Sequence, residues 1–271
     1  MDNIVKVSSP ASGNRKPQKF NVEIPNFDYE RIEDIGFMTA MTLVLMGNYS
    51  QTGHFGGPLA YTPFNVAAHL AGPENGGLRF DYKNPKHPYS DKFMLAGGHN
   101  APTMYALWMI MGESLEKKFK ETNNPKYKID PNTAMLPIDS LGFRRGLAPL
   151  ENLLKDNDLV DHPEMIQAKI RGIRALSGHS ETTDLTNDVN GGPSGIGIAT
   201  AAGKAAFWDM MGAPDDLKII GMEGEFAMTS GHSQEMKTQA VAQQVGKRLR
   251  IFLSFNNSGI DDELIGSVIK S

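Results

Sequence analysis

Not one of the 271 residues is a cysteine. Disulfides, thiolate metal sites and a cysteine nucleophile are thereby excluded, and the chain fits a reducing compartment. Positive charge is short as well. Against 31 Asp and Glu stand 27 Lys and Arg, a formal net charge of −4, so no basic field argues for nucleic acid. No run approaches the roughly 18 apolar residues of a membrane span. Residues 1–19 mix Asp2, Lys6, Arg15, Lys16 and Lys19 with prolines and serines, without the apolar segment of a signal peptide. A soluble, cytoplasmic protein is expected. The hydrophobic share of 40% is that of an ordinary globular chain, enough for one large domain or two small ones.

Glycine is what the chain has in plenty, 28 residues gathered in short motifs; the 15 methionines suit adaptable packing. Residues 7–25 read as a loop or arm. Ile32, Ile35, Met38, Met41 and Leu45 recur at three- and four-residue spacing and predict a helix over 29–47, with Asp28 as N-cap. Residues 53–58 form a glycine-rich turn, and 64–70 read as helix. A short strand is expected at 91–95, ending in Gly97-Gly98-His99, then a helix from about 102 to 111 with Pro102 in its first turn. Residues 113–175 are polar, with peripheral helices possible at 149–155 and 163–173. In the last third, a small-residue helix (194–211), an apolar strand (217–222), a helix (230–245) and a second apolar strand (249–255) alternate. That alternation predicts an α/β fold with a mostly parallel sheet and helices on both faces.

Open parallel sheets bind ligands beyond the carboxyl ends of their strands. Four glycine-rich segments flank the expected strands and helix starts: Gly53-His54-Phe55-Gly56-Gly57-Pro58, Leu95-Ala96-Gly97-Gly98-His99, Gly191-Gly192-Pro193-Ser194-Gly195-Ile196-Gly197 and Gly224-Glu225-Phe226. Glycine lets a backbone N–H approach a phosphate, and a helix N-terminus favours the anion.

The joint order of these segments, with Gly178-His179-Ser180-Glu181 between them and Asn256-Asn257 after them, resembles the N-terminal half of transketolases. The resemblance runs from about Tyr29 to Ile260. It implies the diphosphate-binding domain of a thiamine-diphosphate-dependent enzyme, over residues 28–271, with an insertion at about 113–175 and an arm at 1–27. It implies thiamine diphosphate and Mg²⁺ (or Ca²⁺ or Mn²⁺) as cofactors. His99, Gly192, Pro193, Ser194, Gly224, Glu225, Phe226 and Asn257 would bind the cofactor. Glu225, Asn257 and the carbonyl of Gly259 would hold the metal, with Glu223 in place of Glu225, and Asn256 or Ser258 in place of Asn257, left open. His54 and His179 would line the substrate channel and handle donor hydroxyls and protons. His69, His87, His162 and His232 match no catalytic position.

The sequence departs from the family pattern at the acidic signature. Glutamate stands for aspartate, Phe226 for glycine, and Ser230 for a second acid. The pyrimidine-binding and C-terminal domains of a full transketolase have no counterpart in these residues. The resemblance therefore implies a split enzyme, completed by a second subunit carrying those domains, most simply as α₂β₂, that moves a two-carbon ketol unit from a ketose-type donor to an aldehyde. Two other readings stay open: the α-subunit of a thiamine-diphosphate-dependent 2-oxoacid-processing enzyme, and a non-catalytic scaffold subunit. A nicotinamide-binding domain lacks its Gly-x-Gly-x-x-Gly after a strand. Arg144, Arg145, Lys169, Arg171 and Arg174 could face an anionic substrate or an acidic partner, or simply form a solvated face.

Overall fold

The computed structural model describes residues 27–144, 171–183, 185–193 and 195–255. The expected alternation is present as a three-stranded, wholly parallel sheet, β1 (Lys92–Leu95), β2 (Ile219–Gly224) and β3 (Leu249–Ser254), in that order. Leu95 pairs with Met222, and Gly224 with Ser254. Successive strand residues point to opposite faces. Phe93, Leu95, Ile220 and Met222 face one core, shared with α1 (Tyr29–Ser50), α2 (Gly56–Leu70) and α3 (Ala101–Thr122). Met94, Ile219 and Ile251 face the other, under α4 (Ile196–Met210) and α5 (Gly231–Ala242). Ala201, Ala202 and Ala205 let α4 lie close on the strands. Among the described residues no helix is long and apolar enough to cross a membrane.

Two helices are longer than the sequence pattern marks them. α2 starts at Gly56, inside the stretch that reads as a turn. α3 continues to Thr122, so the first ten residues of the expected insertion are helix. Its second half leaves the core, which removes the apolar period that would reveal it. The possible helix at 149–155 lies outside the described residues, as does most of 163–173.

α1 forms as expected, with the Asp28 carboxylate accepting from the N–H of Arg31 at 3.0 Å. Its apolar period, however, does not mark its buried face. Met38, Met41 and Leu45 are exposed, and Thr39, Leu43 and Met46 are the residues sealed in the core.

Arg171 and Arg174 are tied to the chain's own loops. Arg171 donates to the buried Asp139 carboxylate at 2.6 Å and to the carbonyls of Pro131 and Ala134. Arg174 donates to the carbonyl of Asn132. Both guanidiniums are engaged by these loops, each with one nitrogen left unpartnered among the described residues. Arg145 and Lys169 lie outside the described residues.

Candidate active site

The carboxyl ends of β1 and β2 open onto three loops that the fold brings together. β1 runs into Ala96-Gly97 and then the turn Gly98–Asn100 that starts α3. The segment 176–191 is laced along the outer edge of β1. The Ser180 N–H donates to Gly98 O at 3.0 Å, the Asp188 N–H donates to Phe93 O at 2.8 Å, and the Asn187 side chain accepts from the Leu95 N–H at 2.9 Å. This lacing needs glycine at position 98, where a Cβ would stand 1.8 Å from Gly191 O. Gly98→Ala is therefore expected to lower stability by about 1–3 kcal/mol through backbone displacement. Thermal melting checks it, and an unchanged melting temperature would mean the two loops are not packed as described.

The lacing places three histidines at one mouth. His54 precedes α2, His99 precedes α3, and His179 rides on the 176–191 segment. The rings of His54 and His99 are 5.5 Å apart, centre to centre. Burial holds the pKa of His99 below the usual imidazole value, and the neighbouring His54 and His179 lower it further. His99 is half-buried, whereas His54 and His179 are exposed. The inner ring is thus kept neutral while the outer two meet solvent.

Two buried acids stand at the carboxyl end of β2. Glu223, the penultimate residue of β2, is 1% exposed; its carboxylate accepts from the Gly224 N–H at 2.9 Å and the Gly195 N–H at 3.3 Å. Burial raises its pKa, an effect those two N–H donors partly offset. Glu225 opens the turn Glu225–Thr229 after β2 and is 2% exposed. Gly195 caps α4 at φ 86, and a Cβ there would lie 2.1 Å from Ser230 Oγ, so only glycine brings this helix end to Glu223.

The other expected residues are placed less deeply. Gly192 and Pro193 are exposed, and Gly192 has open space where a Cβ would stand. Gly224 faces the Tyr61 hydroxyl, and Phe226 is 48% exposed. Ser194, Asn256, Asn257 and Gly259 lie outside the described residues. Among the described residues no three or more His, Asp or Glu side chains are grouped to hold a metal ion.

Comparisons with known proteins agree with this architecture. No family model matches the chain. A point mutant of the transketolase from Pichia stipitis superposes with a TM-score of 0.60 at 22% identity, over 86% of this chain and 28% of that one. The same organism's transketolase in complex with sedoheptulose-7-phosphate gives 0.57 at 20% identity, over 85% of this chain and 28% of that one. The fold is that of transketolases. In sequence, 39 residues are 41% identical to the mouse protein named Transketolase-like protein 2, 14% of this chain and 6% of that protein. The chain thus spans little more than a quarter of the solved structures it matches.

Within this transketolase fold two polar residues appear that sequence reasoning missed. Asn100 is fully buried, and neither atom of its amide finds a hydrogen-bond partner among the described residues. It packs against Gly57, where a Cβ would meet its Oδ1 at 2.2 Å, and against Gly97, where a Cβ would stand 2.8 Å from its Nδ2 and 3.0 Å from Glu223 Oε1. Tyr61 on α2 is 6% exposed and its hydroxyl is likewise unpartnered. Burial first, then the charges of Glu223 and Glu225, push its pKa up. An orphaned buried polar group costs about 1–3 kcal/mol, so such atoms mark places where a further partner belongs. The one available signal was position: Asn100 directly follows the Gly97-Gly98-His99 motif.

Proposed function

We propose that this chain is the diphosphate-binding part of a transketolase-like, thiamine-diphosphate-dependent transferase, and that a companion chain supplies the groups that activate the cofactor ring. The observation that carries the reading is that the carboxyl ends of β1 and β2 hold His99, with His54 and His179 near it, and the buried acids Glu223 and Glu225. Transketolase fold alone would not require those residue types at the strand ends.

The residues present suit a metal-bridged diphosphate in part. Hard divalent cations take oxygen ligands, and a strand-end carboxylate with an unpartnered amide beside it offers them. Glu223 is the better-placed acid, because its carboxylate lies between the two glycine turns. Glu225 remains the second. The oxygens of Asn257 and Gly259 would complete the set. The N-terminus of α4 is already engaged by Glu223, so a diphosphate would share that helix end with it.

When bound, the cofactor supplies a carbanion that cleaves the bond beside a ketone carbonyl and passes on a two-carbon ketol unit. The chain's residues then have distinct tasks. His99, kept neutral, can donate one N–H to a phosphate oxygen without adding a buried charge. His54 and His179, at the solvent side, can bind donor hydroxyls and exchange protons with a forming alkoxide.

Titration calorimetry with thiamine diphosphate and Mg²⁺ tests this. The wild-type chain, with its companion where one is required, should show saturable binding, and Glu223→Gln should weaken it at least about tenfold. Absence of saturable binding would remove the enzyme reading. It would favour a cofactor-free scaffold subunit, for which the tight mutual packing of the glycine loops and the burial of Tyr61 at the strand ends already speak.

A further inference from the structure

Glu223 closes the start of α4 with its own carboxylate. It accepts from the Gly195 N–H at 3.3 Å, across from strand to helix, and from the neighbouring Gly224 N–H at 2.9 Å. The 15-residue helix offers N–H groups and the positive end of its dipole there, so the carboxylate fills a place that suits an incoming anion. Near that carboxylate stand three buried side-chain atoms with no partner among the described residues, the Tyr61 hydroxyl and both ends of the Asn100 amide. Asn100 Nδ2 and Glu223 Oε1 lie 2.8 and 3.0 Å from the one point where a Gly97 Cβ would be. The Tyr61 hydroxyl lies 3.6 Å from where a Gly224 Cβ would be. Asn100 is the N-cap residue of α3, where an asparagine ordinarily accepts from the first N–H groups of the helix, yet its side chain makes no such bond. Tyr61 keeps its proton, because burial and then the charges of Glu223 and Glu225 push its pKa up. Two neutral donors are thus held beside a carboxylate that is bonded elsewhere.

We infer that Glu223 has two stations, and that Tyr61 and Asn100 build the second. In the free chain the carboxylate holds the α4 N-terminus. When a diphosphate binds, Glu223 yields the Gly195 N–H to it and turns to the Asn100 Nδ2–H and the Tyr61 hydroxyl. The inference rests on the cofactor reading above. Tyr61 and Asn100 are positioning residues in it, since they touch Glu223 rather than the ligand. Were Glu223 fixed in its first station, it would compete with the anion for one N–H and repel it. A buried carboxylate can leave its donors only for others, and a hydroxyl and an amide N–H are such donors. It has lone pairs enough to accept both and still face a divalent cation. Glutamate, one methylene longer than aspartate, has the reach to serve two stations from one strand position. Gly57 and Gly97 leave the room that the Asn100 amide occupies beside it.

The test is a double-mutant cycle read by titration calorimetry with thiamine diphosphate and Mg²⁺, on the chain with its companion where one is required. Tyr61→Phe should weaken binding about tenfold in the wild-type background, the worth of one hydrogen bond to a charged group. In a Glu223→Gln background, where no carboxylate is left to receive, the same change should cost less than about twofold. Asn100→Leu should follow the same pattern. In the free chain Tyr61→Phe should leave the melting temperature unchanged or raise it, because it removes an unpartnered buried hydroxyl. A tyrosine that merely supports the fold would lower it. An equal loss of binding in both backgrounds would mean that Tyr61 serves the ligand or Glu225 directly, and would overturn the inference. So would a Tyr61→Phe chain that binds as wild type does. Those two results leave the cofactor reading standing, whereas a wild-type chain that binds nothing removes both.

Discussion

Arg248→Met should lower the free energy of unfolding by about 3–5 kcal/mol, since removing one partner of a buried ion pair strands the other groups. Arg248 sits just ahead of β3, and its side chain is 1% exposed. Its Nε donates to Asp209 at 2.6 Å, Nη1 to the carbonyls of Pro214 and Leu217 at 3.0 and 3.2 Å, and Nη2 to the carbonyl of Ala213 at 3.2 Å. One guanidinium thus closes the turn between α4 and β2, while its own carbonyl accepts from the Ile219 N–H at 2.8 Å. Methionine fills much of the volume but answers none of those acceptors. Asp209 keeps Lys247 at 3.3 Å on its exposed side, which holds the cost to the lower part of the range. Lysine at 248 should recover only part of the loss, because a single ammonium cannot span acceptors arranged for a planar fork. Urea unfolding at neutral pH reads the difference directly. A loss below about 1 kcal/mol would mean that the turn holds without its clasp. The consequence for the site is indirect: β2 carries Glu223 and leads directly into Glu225, and the clasp fixes where that strand begins.

The parallel strands were legible because each is a short apolar run, and because glycine motifs follow β1 and precede α4. The extent of the helices was not. Gly56-Gly57-Pro58 reads as a turn by composition, yet it is the first turn of α2, and small residues there admit Asn100 close to the helix backbone. In α3 the chain keeps residues of good helix propensity past Met111, such as Glu113, Lys117 and Lys118, but these face water and carry no period. In α1 the period was visible and its meaning was not. A stripe of methionine, valine, leucine and phenylalanine reads as core, and only the placement of α2 and α3 shows that Thr39 and Leu43 occupy that role. The histidines were found through the order of their motifs, because their meeting depends on lacing between segments about 80 residues apart in sequence, from Gly98 to Ser180. Glu223 and Glu225 could not be ranked from sequence. Two residues apart, they would share a strand face, and the break after Gly224 is what separates them. Tyr61 had no local signal and Asn100 only its place after the Gly97-Gly98-His99 motif, since burial of a polar side chain is decided by what the distant chain lays over it.

Acidification from pH 7 to 4.5 should cost the wild-type chain about 2–3 kcal/mol through His69 alone, and His69→Gln should remove that share of the pH dependence. His69 is 3% exposed on α2. Its Nδ1 lies 2.9 Å from the carbonyl of Asn65, which can only accept, so Nδ1 carries the proton. Nε2 then accepts from the Thr186 hydroxyl at 2.9 Å. The rings of Phe80 and Phe93 pack edge-on against it. Both nitrogens are satisfied in the neutral form, and burial lowers the pKa from 6.5 to about 4, with the Asn65 carbonyl opposing only part of the shift. The sign follows from proton uptake. Between the two values the unfolded chain is protonated at His69 and the folded chain is not, so stability is complete above about pH 6.5 and falls toward pH 4. Glu223 acts in the opposite sense, since its raised pKa makes the folded state gain relative to the unfolded one as pH drops. Comparing wild type with His69→Gln across the range cancels Glu223 and every other shared group. Parallel stability curves for the two chains would show that His69 titrates normally in the fold, and that the contact between α2 and Thr186 is looser than these distances imply.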